Sequence, residues 1–325
     1  MKKQRSNEGM KKDKVLKPKR MKLSTYLKRN YDLYLMLLPT LIFVAIFDLA
    51  PMYGILLAFK DYDMFAADTP FMSILASEWV GLKHFAKLFG RSEFLNALRN
   101  TVIISVSKIV FVFPVPIVFA ILLSEVRSIK YQKGLQTIVY LPHFLSWAVV
   151  AGIFVSLLSS TGLVNSLLVS LGFEKVNFLM SNKLFRGILI ISDMWKEFGW
   201  SSIIYFSAIA GLDQECYEAA RVDGANRLQQ IWYVTIPGLI PTIVLMLITK
   251  VGGIMDAGFS QVFAMYNPTV YETADIVGTY VYRIGLGKMD FSIGTAVGLF
   301  NSIIGLVLVL SSNAAAKKMT GKSIW

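Results

Sequence analysis

The chain of 325 residues has a mean hydropathy of +0.55, with 55% hydrophobic and only 17% charged residues. Because its apolar residues lie in blocks of about twenty, a soluble globular domain, a disordered chain, collagen and a coiled coil are excluded. The single cysteine, Cys216, excludes a disulfide framework, and two histidines leave little material for a metal cluster. The composition therefore indicates a membrane protein with several spans.

The formal net charge of +12 is concentrated near the N-terminus. Residues 1–34 hold 12 of the 33 lysines and arginines, against three acidic residues. This location favours contact with anionic membrane lipid, and no nucleic-acid partner is expected. The first apolar block, residues 35–59, is too long for the hydrophobic region of a signal peptide and lacks a small-residue cleavage pattern. It is therefore predicted to be a retained first span.

Apolar windows predict six transmembrane segments. Each is expected to be a helix, because only a helix satisfies its own backbone in lipid and the alternating pattern of a barrel strand is absent. Prolines within or next to several of them predict kinks. The predicted spans are residues 35–59, 101–123, 137–158, 187–211, 236–260 and 292–312. The predicted fold class is an all-α polytopic membrane protein.

The distribution of lysine and arginine between the loops predicts the orientation. The loops on the N-terminal side of the membrane carry 20 of these residues, and those on the other side carry 10. The positive-inside rule then places both termini in the cytoplasm. The expected organisation is a basic cytoplasmic segment (1–34), one six-helix transmembrane domain (35–312) and a cytoplasmic tail (313–325), since no internal repeat is found.

Residues 79–89, between the first two spans, repeat apolar side chains at helical spacing. Two interpretations fit this amphipathic segment. It lies on the membrane surface, or it packs onto the spans.

The sequence lacks the motifs of the common enzyme classes: HExxH, CxxC, GxSxG and a GxGxxG placed between a strand and a helix. The nearest approach to a nucleotide loop is Gly321-Lys322-Ser323. There, Ala316 stands where a phosphate loop requires glycine, and only two residues follow Ser323. No catalytic residue, metal or cofactor is therefore expected on this chain, and any nucleotide that drives it should bind another chain.

The loop between the fourth and fifth predicted spans, residues 212–235, is the most informative segment. Asp213 can cap a short helix, and Gly224 can end it in a left-handed conformation that costs glycine little. A second short helix is expected to begin near Asn226 and to end before Pro237 starts the next span. Its expected apolar face consists of Leu228, Ile231, Trp232 and Thr235.

This loop has the composition of a docking surface. The small residues Ala219 and Ala220 let another surface approach closely, while Glu218 and Asp223 supply acceptors for a basic partner. An ordinary loop with well-capped helices explains any one of these residues equally well. The complete spacing favours docking.

That spacing resembles a known motif. Glu218-Ala219-Ala220, three residues, Gly224, nine residues and then VTIP (234–237) is similar to the EAA loop of permease subunits of bacterial binding-protein-dependent ABC importers. The family more often has Ile and Leu at positions 234 and 236, and both departures are conservative. The resemblance implies that this loop forms the coupling helix, which sits in a groove of the cytoplasmic ATPase. The residues given this role are Glu218, Ala219, Ala220, Asp223 and Gly224.

The resemblance extends from about residue 31 to the C-terminus. The segments PMYGILLAFKD (51–61), YLPHFLSW (140–147) and FNS (300–302) are similar to carbohydrate-importer permeases of the polysaccharide-utilisation type. The family implies a bacterial plasma-membrane subunit that works with a second, different permease, an ATPase dimer that binds ATP and Mg²⁺, and an extracellular binding protein. The implied substrate is an oligosaccharide.

Charged residues inside spans are costly and indicate function. The predicted orientation places most of them in the outer half of the membrane, where they would form a polar vestibule. Aromatic side chains alternate with these charges in the fourth span, a combination that suits sugar rings and hydroxyls. The charged residues in spans are Asp48, Lys108, Asp193, Lys196, Glu197, Lys250 and Asp256. The candidate substrate pathway consists of Asp193, Trp195, Lys196, Glu197, Trp200, Tyr205 and Asp256.

Two alternatives stay open. The charges can instead pair to hold helices together, with the tryptophans as interfacial anchors. As for function, the chain can be an importer permease for a non-sugar solute, or a self-sufficient secondary transporter in which Asp48 and Asp193 bind coupling ions. The missing internal repeat and the shaped loop disfavour the secondary transporter.

Overall fold

A computed structural model describes residues 29–320. The greater part of the predicted basic segment and the last five residues of the predicted tail lie outside the described residues. The chain divides into two compact units, residues 1–53 and 54–325. In the first unit, helix α1 (Tyr31–Val44) contains Pro39 and is followed by a π turn at Ala45–Leu49 that contains Asp48. Every residue of α1 and of this turn is exposed.

The second unit is mostly helical. Its helices are α2 (Pro70–Ala76), α3 (Lys83–Phe89), α4 (Ser92–Phe111), α5 (Pro114–Ser124), α6 (Ile129–Tyr140), α7 (Trp147–Leu158), α8 (Leu163–Ser170), α9 (Phe185–Ala210), α10 (Gln214–Val222), α11 (Arg227–Gln230), α12 (Ile236–Gly252), α13 (Phe259–Met265), α14 (Tyr271–Ala274), α15 (Val277–Val281) and α16 (Phe291–Thr320). Two short strands, β1 (Lys60–Asp61) and β2 (Glu78–Trp79), pair antiparallel. This strand pair is a small departure from the all-helical prediction.

Five helical segments in the described residues are long and apolar enough to cross a membrane: Tyr31–Phe59, Ser92–Ser124, Trp147–Ser170, Arg227–Gly252 and Phe291–Lys318. They agree with five of the six predicted spans. The other predicted span, 187–211, is α9, which has 26 residues and carries four charged side chains. It is long enough to cross, but its charges lower its hydropathy, so the count of six stays a prediction.

Three of the predicted spans differ in extent from the helices of the structure. The helix predicted over 137–158 is two helices, because Pro142 lies in a 3₁₀ turn after α6 and Ser146 caps α7 by accepting a hydrogen bond from Val149 N at 3.3 Å. The helix predicted over 236–260 ends at Gly252. The last predicted span ends at 312, whereas α16 continues into the predicted tail as far as Thr320.

The amphipathic segment packs onto the spans, as the second interpretation expected. Strand β1 begins the arrangement, because Lys60 Nζ donates to the carbonyl oxygens of Leu75 (2.6 Å) and Ser77 (3.1 Å). His84 and Leu88 of α3 are buried, and α3 packs against α16. The segment is therefore anchored to the last helix through the buried side of α3.

Helix α9 is central to the second unit. It packs most extensively against α5, and it also contacts α4, α6, α7 and α12. At Gly199 the neighbouring helix α6 comes so close that a Cβ atom would clash with the carbonyl oxygen of Val139. This close approach allows the charged face of α9 to lie among the other helices.

A buried ion pair holds the segment between α13 and α16. Arg283 donates to both carboxylate oxygens of Asp275, at 3.0 and 2.6 Å, and its guanidinium lies over the ring of Tyr271. Burial alone would lower the pKa of Arg283, but the hydrogen bonds and charge of Asp275 raise it above its ordinary value. Thr279 also donates to Asp275, at 2.8 Å. The carboxylate is therefore fully engaged.

We expect Asp275→Asn to destabilise the protein by about 3 kcal/mol, since it leaves a partly buried guanidinium without its counter-charge. The measurement is the midpoint of thermal unfolding in detergent. Lys83→Met is the control, because the Lys83–Asp61 pair is 3.7 Å long with side chains 64% and 59% exposed. An equal shift in the two variants would contradict the importance of the buried pair.

Candidate functional site

A cavity of about 850 Å³ lies among α4, α5, α9, α12 and the segment 253–258 that follows α12. Its volume is in the range of small-molecule sites, roughly 300–1,000 Å³. Five of the seven predicted pathway residues line it: Asp193, Glu197, Trp200, Tyr205 and Asp256. Most of the predicted pathway residues thus lie at one cavity, although they form only a part of its lining.

Lys108 and Asp193 face each other in the cavity wall, with Lys108 Nζ 3.4 Å from Asp193 Oδ1. Lys108 also donates to Gln261 Oε1 at 2.6 Å and to the carbonyl oxygen of Ala257 at 3.1 Å. The Asp193 charge is therefore compensated inside the protein.

Glu197 belongs to a second polar group. Its Oε2 lies 2.8 Å from His143 Nδ1, and its Oε1 accepts from Lys196 Nζ at 3.0 Å. Lys196 donates as well to the carbonyl oxygen of His143 at 2.7 Å, which fixes the break between α6 and α7 against α9. Trp200 stacks on the His143 ring, with centroids 4.5 Å apart and parallel planes. One face of the indole is thus covered and its plane is fixed.

Two predicted pathway residues do not line the cavity. Lys196 is buried and holds the helix break described above. Trp195 points elsewhere and meets the ring of Phe154 edge-on at 5.9 Å. Tyr205 borders the cavity but is only 2% exposed, because it packs into the core beside Leu239. These three residues fit the alternative of helix packing better than substrate contact.

Other lining residues were missed by the sequence prediction. Lys108 and Lys250 are charges in predicted spans, so a signal for each existed. His143 does not line the cavity, but it contacts Glu197 and Trp200, which do. Ser201 and Thr249 also line the cavity, but small hydroxyls on an apolar helix give no such signal. Within residues 29–320, neither Lys250 nor Asp256 has an ion-pair partner within 4 Å.

The loop between α9 and α12 has the predicted backbone. Asp213 caps α10 by accepting from Glu215 N at 3.0 Å. Gly224 has φ +79°, and Ala225 N donates to the carbonyl oxygen of Ala220 at 2.9 Å across this turn. Asn226 begins the next helix with a capping box. The predicted cap, left-handed glycine and second helix start are confirmed.

The second helix is not a separate short helix, and that prediction is wrong. Helix α11 continues through a π turn at Ile231–Thr235 into α12, and together they form one helix over Arg227–Gly252. Pro237 has no N–H to donate, and the wider turn accommodates it. The predicted apolar face is also divided, because Leu228 and Trp232 are exposed whereas Thr235 is buried.

The predicted coupling residues form a small protrusion. Glu218, Ala219, Asp223 and Gly224 are exposed, and Ala220 is partly buried. On the inner side of α10, Tyr217 OH lies 2.9 Å from Thr235 Oγ1 and so joins α10 to the lower part of the long helix. The outer side presents small residues and carboxylates. In the part of the chain that the structure describes, no three His, Cys, Asp or Glu side chains are placed to hold a metal ion.

Comparison with known proteins identifies the family. Residues 96–320 match the family of inner membrane components of binding-protein-dependent transport systems. The chain belongs to this family. It is therefore a multi-pass plasma-membrane permease, the transport subunit of an ABC importer, and the resemblance drawn from the EAA loop is confirmed.

Relatives of this permease belong to carbohydrate transport systems. The polygalacturonan/rhamnogalacturonan transport system permease YteP of Bacillus subtilis is 44% identical over 95% of each chain. The arabinooligosaccharides transport system permease AraP of Halalkalibacterium halodurans is 30% identical over 74% of this chain and 77% of its own. A chain in the crystal structure of a bacterial ABC transporter that imports the acidic polysaccharide alginate has a TM-score of 0.85 and 42% identity, covering 92% of this chain and 99% of its own.

A second solved structure of the alginate transporter is in complex with an alginate pentasaccharide-bound periplasmic protein. Its matching chain has the same TM-score of 0.85 and 42% identity, and the match covers 93% of this permease and 99% of that chain. The permease fold is thus shared along almost the whole length.

The capping box at Asn226 should stabilise the first turn of the long helix. Asn226→Ala should destabilise the start of the long helix by about 1 kcal/mol, which corresponds to roughly fivefold faster amide exchange. Hydrogen exchange of peptides covering residues 226–230 measures it. Asn226→Asp is the matched control, since aspartate caps equally well. Equal exchange in the Ala and Asp variants would show that the cap does not order the loop.

Proposed function

We propose that this permease forms one half of the membrane pathway of an ATP-driven oligosaccharide importer. The other half is a second, different permease, and an extracellular binding protein delivers the substrate. A pair of ATPase subunits on the cytoplasmic side binds ATP and Mg²⁺ and docks on the loop between α9 and α12.

One observation carries the proposal: a single helix connects the docking loop to the cavity. It begins at Arg227, beside the exposed α10, and ends at Gly252, and its last turns line the cavity through Met246, Thr249 and Lys250. Its 26 residues extend about 39 Å. The Tyr217–Thr235 hydrogen bond joins α10 to its lower part. The long helix can therefore transmit a displacement of α10 to the residues that line the cavity.

Alternating access follows from this connection. Closure of the ATPase pair moves α10, the long helix transmits the movement, and the cavity changes the side to which it opens. Glu218 and Asp223 offer charge-assisted hydrogen bonds to basic groups of the ATPase, and Ala219 permits close contact. Binding of nucleotide belongs to the ATPase chains.

The substrate is an acidic oligosaccharide. Two relatives above 40% identity belong to transport systems for polygalacturonan/rhamnogalacturonan and for the acidic polysaccharide alginate. In the cavity, Asp193, Glu197 and Asp256 supply hydrogen-bond acceptors, Lys250 supplies a donor, and Trp200 offers an aromatic face for a sugar ring. Tyr205 supports the wall from behind.

Uptake of labelled oligogalacturonate by cells expressing the complete importer tests this assignment. Trp200→Ala should lower the uptake rate at least tenfold, because it removes the exposed indole from the cavity. Trp195→Ala is the matched control and should change uptake less than twofold, since Trp195 lies outside the cavity. Neutral oligosaccharides or amino acids that compete as well as the acidic sugar would overturn the substrate class, and equal effects of the two variants would overturn the pathway.

The conformation of Gly224 gives a test of coupling. Gly224→Val places a β-branched residue at φ +79°, where only glycine and, less readily, asparagine fit. The variant should reach the membrane but lose more than 90% of uptake and release the ATPase on purification. Gly224→Asn should retain most activity, because there is open space for its side chain. Full uptake and ATPase retention by Gly224→Val would contradict the docking geometry.

A further inference from the structure

The segment between α12 and α13 breaks the regular backbone at the cavity. Ala257 and Gly258 have φ values of 50° and 82°, both left-handed, and Ala257 is a position where such a value is strained. At this break, carbonyl groups lack the N–H partners that a helix would provide. Lipid offers no donor in their place, so the partners must come from the protein. Five residues of this segment line the cavity: Gly253, Ile254, Asp256, Ala257 and Gly258.

Helix α4 supplies the missing partners from outside the segment. Ser105 Oγ donates to the carbonyl oxygen of Ile254, and Lys108 Nζ donates to that of Ala257. Ser105 and Lys108 are three residues apart and so lie on the same face of α4. Two side chains of one helix face thus hold both ends of the irregular segment.

The remaining hydrogen bonds of Lys108 are directed into the protein. Its Nζ donates to Gln261 Oε1 at 2.6 Å and lies 3.4 Å from Asp193 Oδ1. Gln261 is completely buried, and its Nε2 donates to the carbonyl oxygen of Leu189 at 2.7 Å and to Ser192 Oγ at 2.8 Å. With Ala257, the ammonium has an acceptor for each of its three N–H groups.

Gly258 makes room for this arrangement. A Cβ atom at position 258 would lie 2.5 Å from Lys108 Nζ, closer than atoms can approach. The positive φ therefore favours glycine there, and any larger side chain would also displace the ammonium group of Lys108. Lys108, Gly258 and Gln261 therefore pack closely together.

We propose that Lys108 is a positioning residue that sets the conformation of residues 253–258 and thereby directs Asp256 toward the cavity. Lys108 does not take the substrate, because its three donors are occupied. This assignment adds a positioning residue to the proposed function. It rests on the proposed function only in taking the cavity to be the substrate pathway. Lys250 provides the contrast, since it lines the same cavity, carries the same charge and has no ion-pair partner within residues 29–320.

Cysteine labelling of the purified importer complex tests the proposal without any substrate. Cys216→Ser removes the native thiol, and Ile254→Cys places a reporter in the segment. Lys108→Met should increase the rate of maleimide labelling at position 254 at least fivefold, because the segment loses its anchor. Lys250→Met removes the same charge from the same cavity and should change the rate less than twofold.

The following results would overturn either the positioning role of Lys108 or the proposed function. A labelling rate that Lys108→Met leaves unchanged, or that both lysine variants raise equally, overturns the positioning role. If Lys108→Met does not assemble, Lys108→Gln takes its place, because it keeps a donor but no charge. It should raise the labelling rate relative to Lys250→Met. No increase in this variant also overturns the proposal. Failure of the unaltered importer to take up any oligosaccharide would overturn the proposed function but leave the labelling result standing.

Discussion

Inside a membrane every backbone N–H and C=O group needs a hydrogen-bond partner within the protein, and this constraint determines where the permease can be irregular. Most of the second unit meets it with helices. Where the chain leaves helical geometry, lysines of neighbouring helices replace the missing partners: Lys196 at the carbonyl of His143 and Lys108 at the carbonyl of Ala257. Both lysines are also neutralised by a carboxylate of α9. Lys108 and Lys196 thus support the backbone at the two breaks, and the break at residues 253–258 lines the cavity together with α9.

The same constraint explains the connection between the loop and the cavity. A helix that satisfies its own backbone can run without interruption from Arg227 to Gly252, and the π turn before Pro237 lets it pass a residue that cannot donate. At one end it meets the exposed α10, and at the other it gives way to the irregular segment that Lys108 holds. A stiff element therefore joins a protruding surface to the most irregular part of the cavity. This order of parts is what an ATP-driven change of access requires.

Much of this arrangement could be predicted from the sequence, and the failures have physical causes. Asp213, Gly224 and Asn226 act through local backbone geometry, so the predicted caps and the left-handed turn are confirmed. Hydropathy predicts five spans that the structure contains, but an average over about twenty residues does not respond to single residues such as Pro142, Ser146 or Gly252, which break or end the helices. The grouping of Trp195 and Lys196 with Trp200 fails for another reason: spacing along one helix does not tell which side faces a cavity. The partner of Lys108 in the chain, Gln261, is 153 residues away.

Purification of the tagged permease from its native membrane in mild detergent, with quantitative mass spectrometry of the proteins that remain bound, tests whether this chain is one half of an ATP-driven importer. If α10 attaches the ATPase, each copy of this chain should be recovered with one copy of a second permease that has an EAA loop and with two ATPase subunits, all in a single particle. Recovery of the chain alone, in a form that still transports after reconstitution into vesicles, would show that it is not a half-importer.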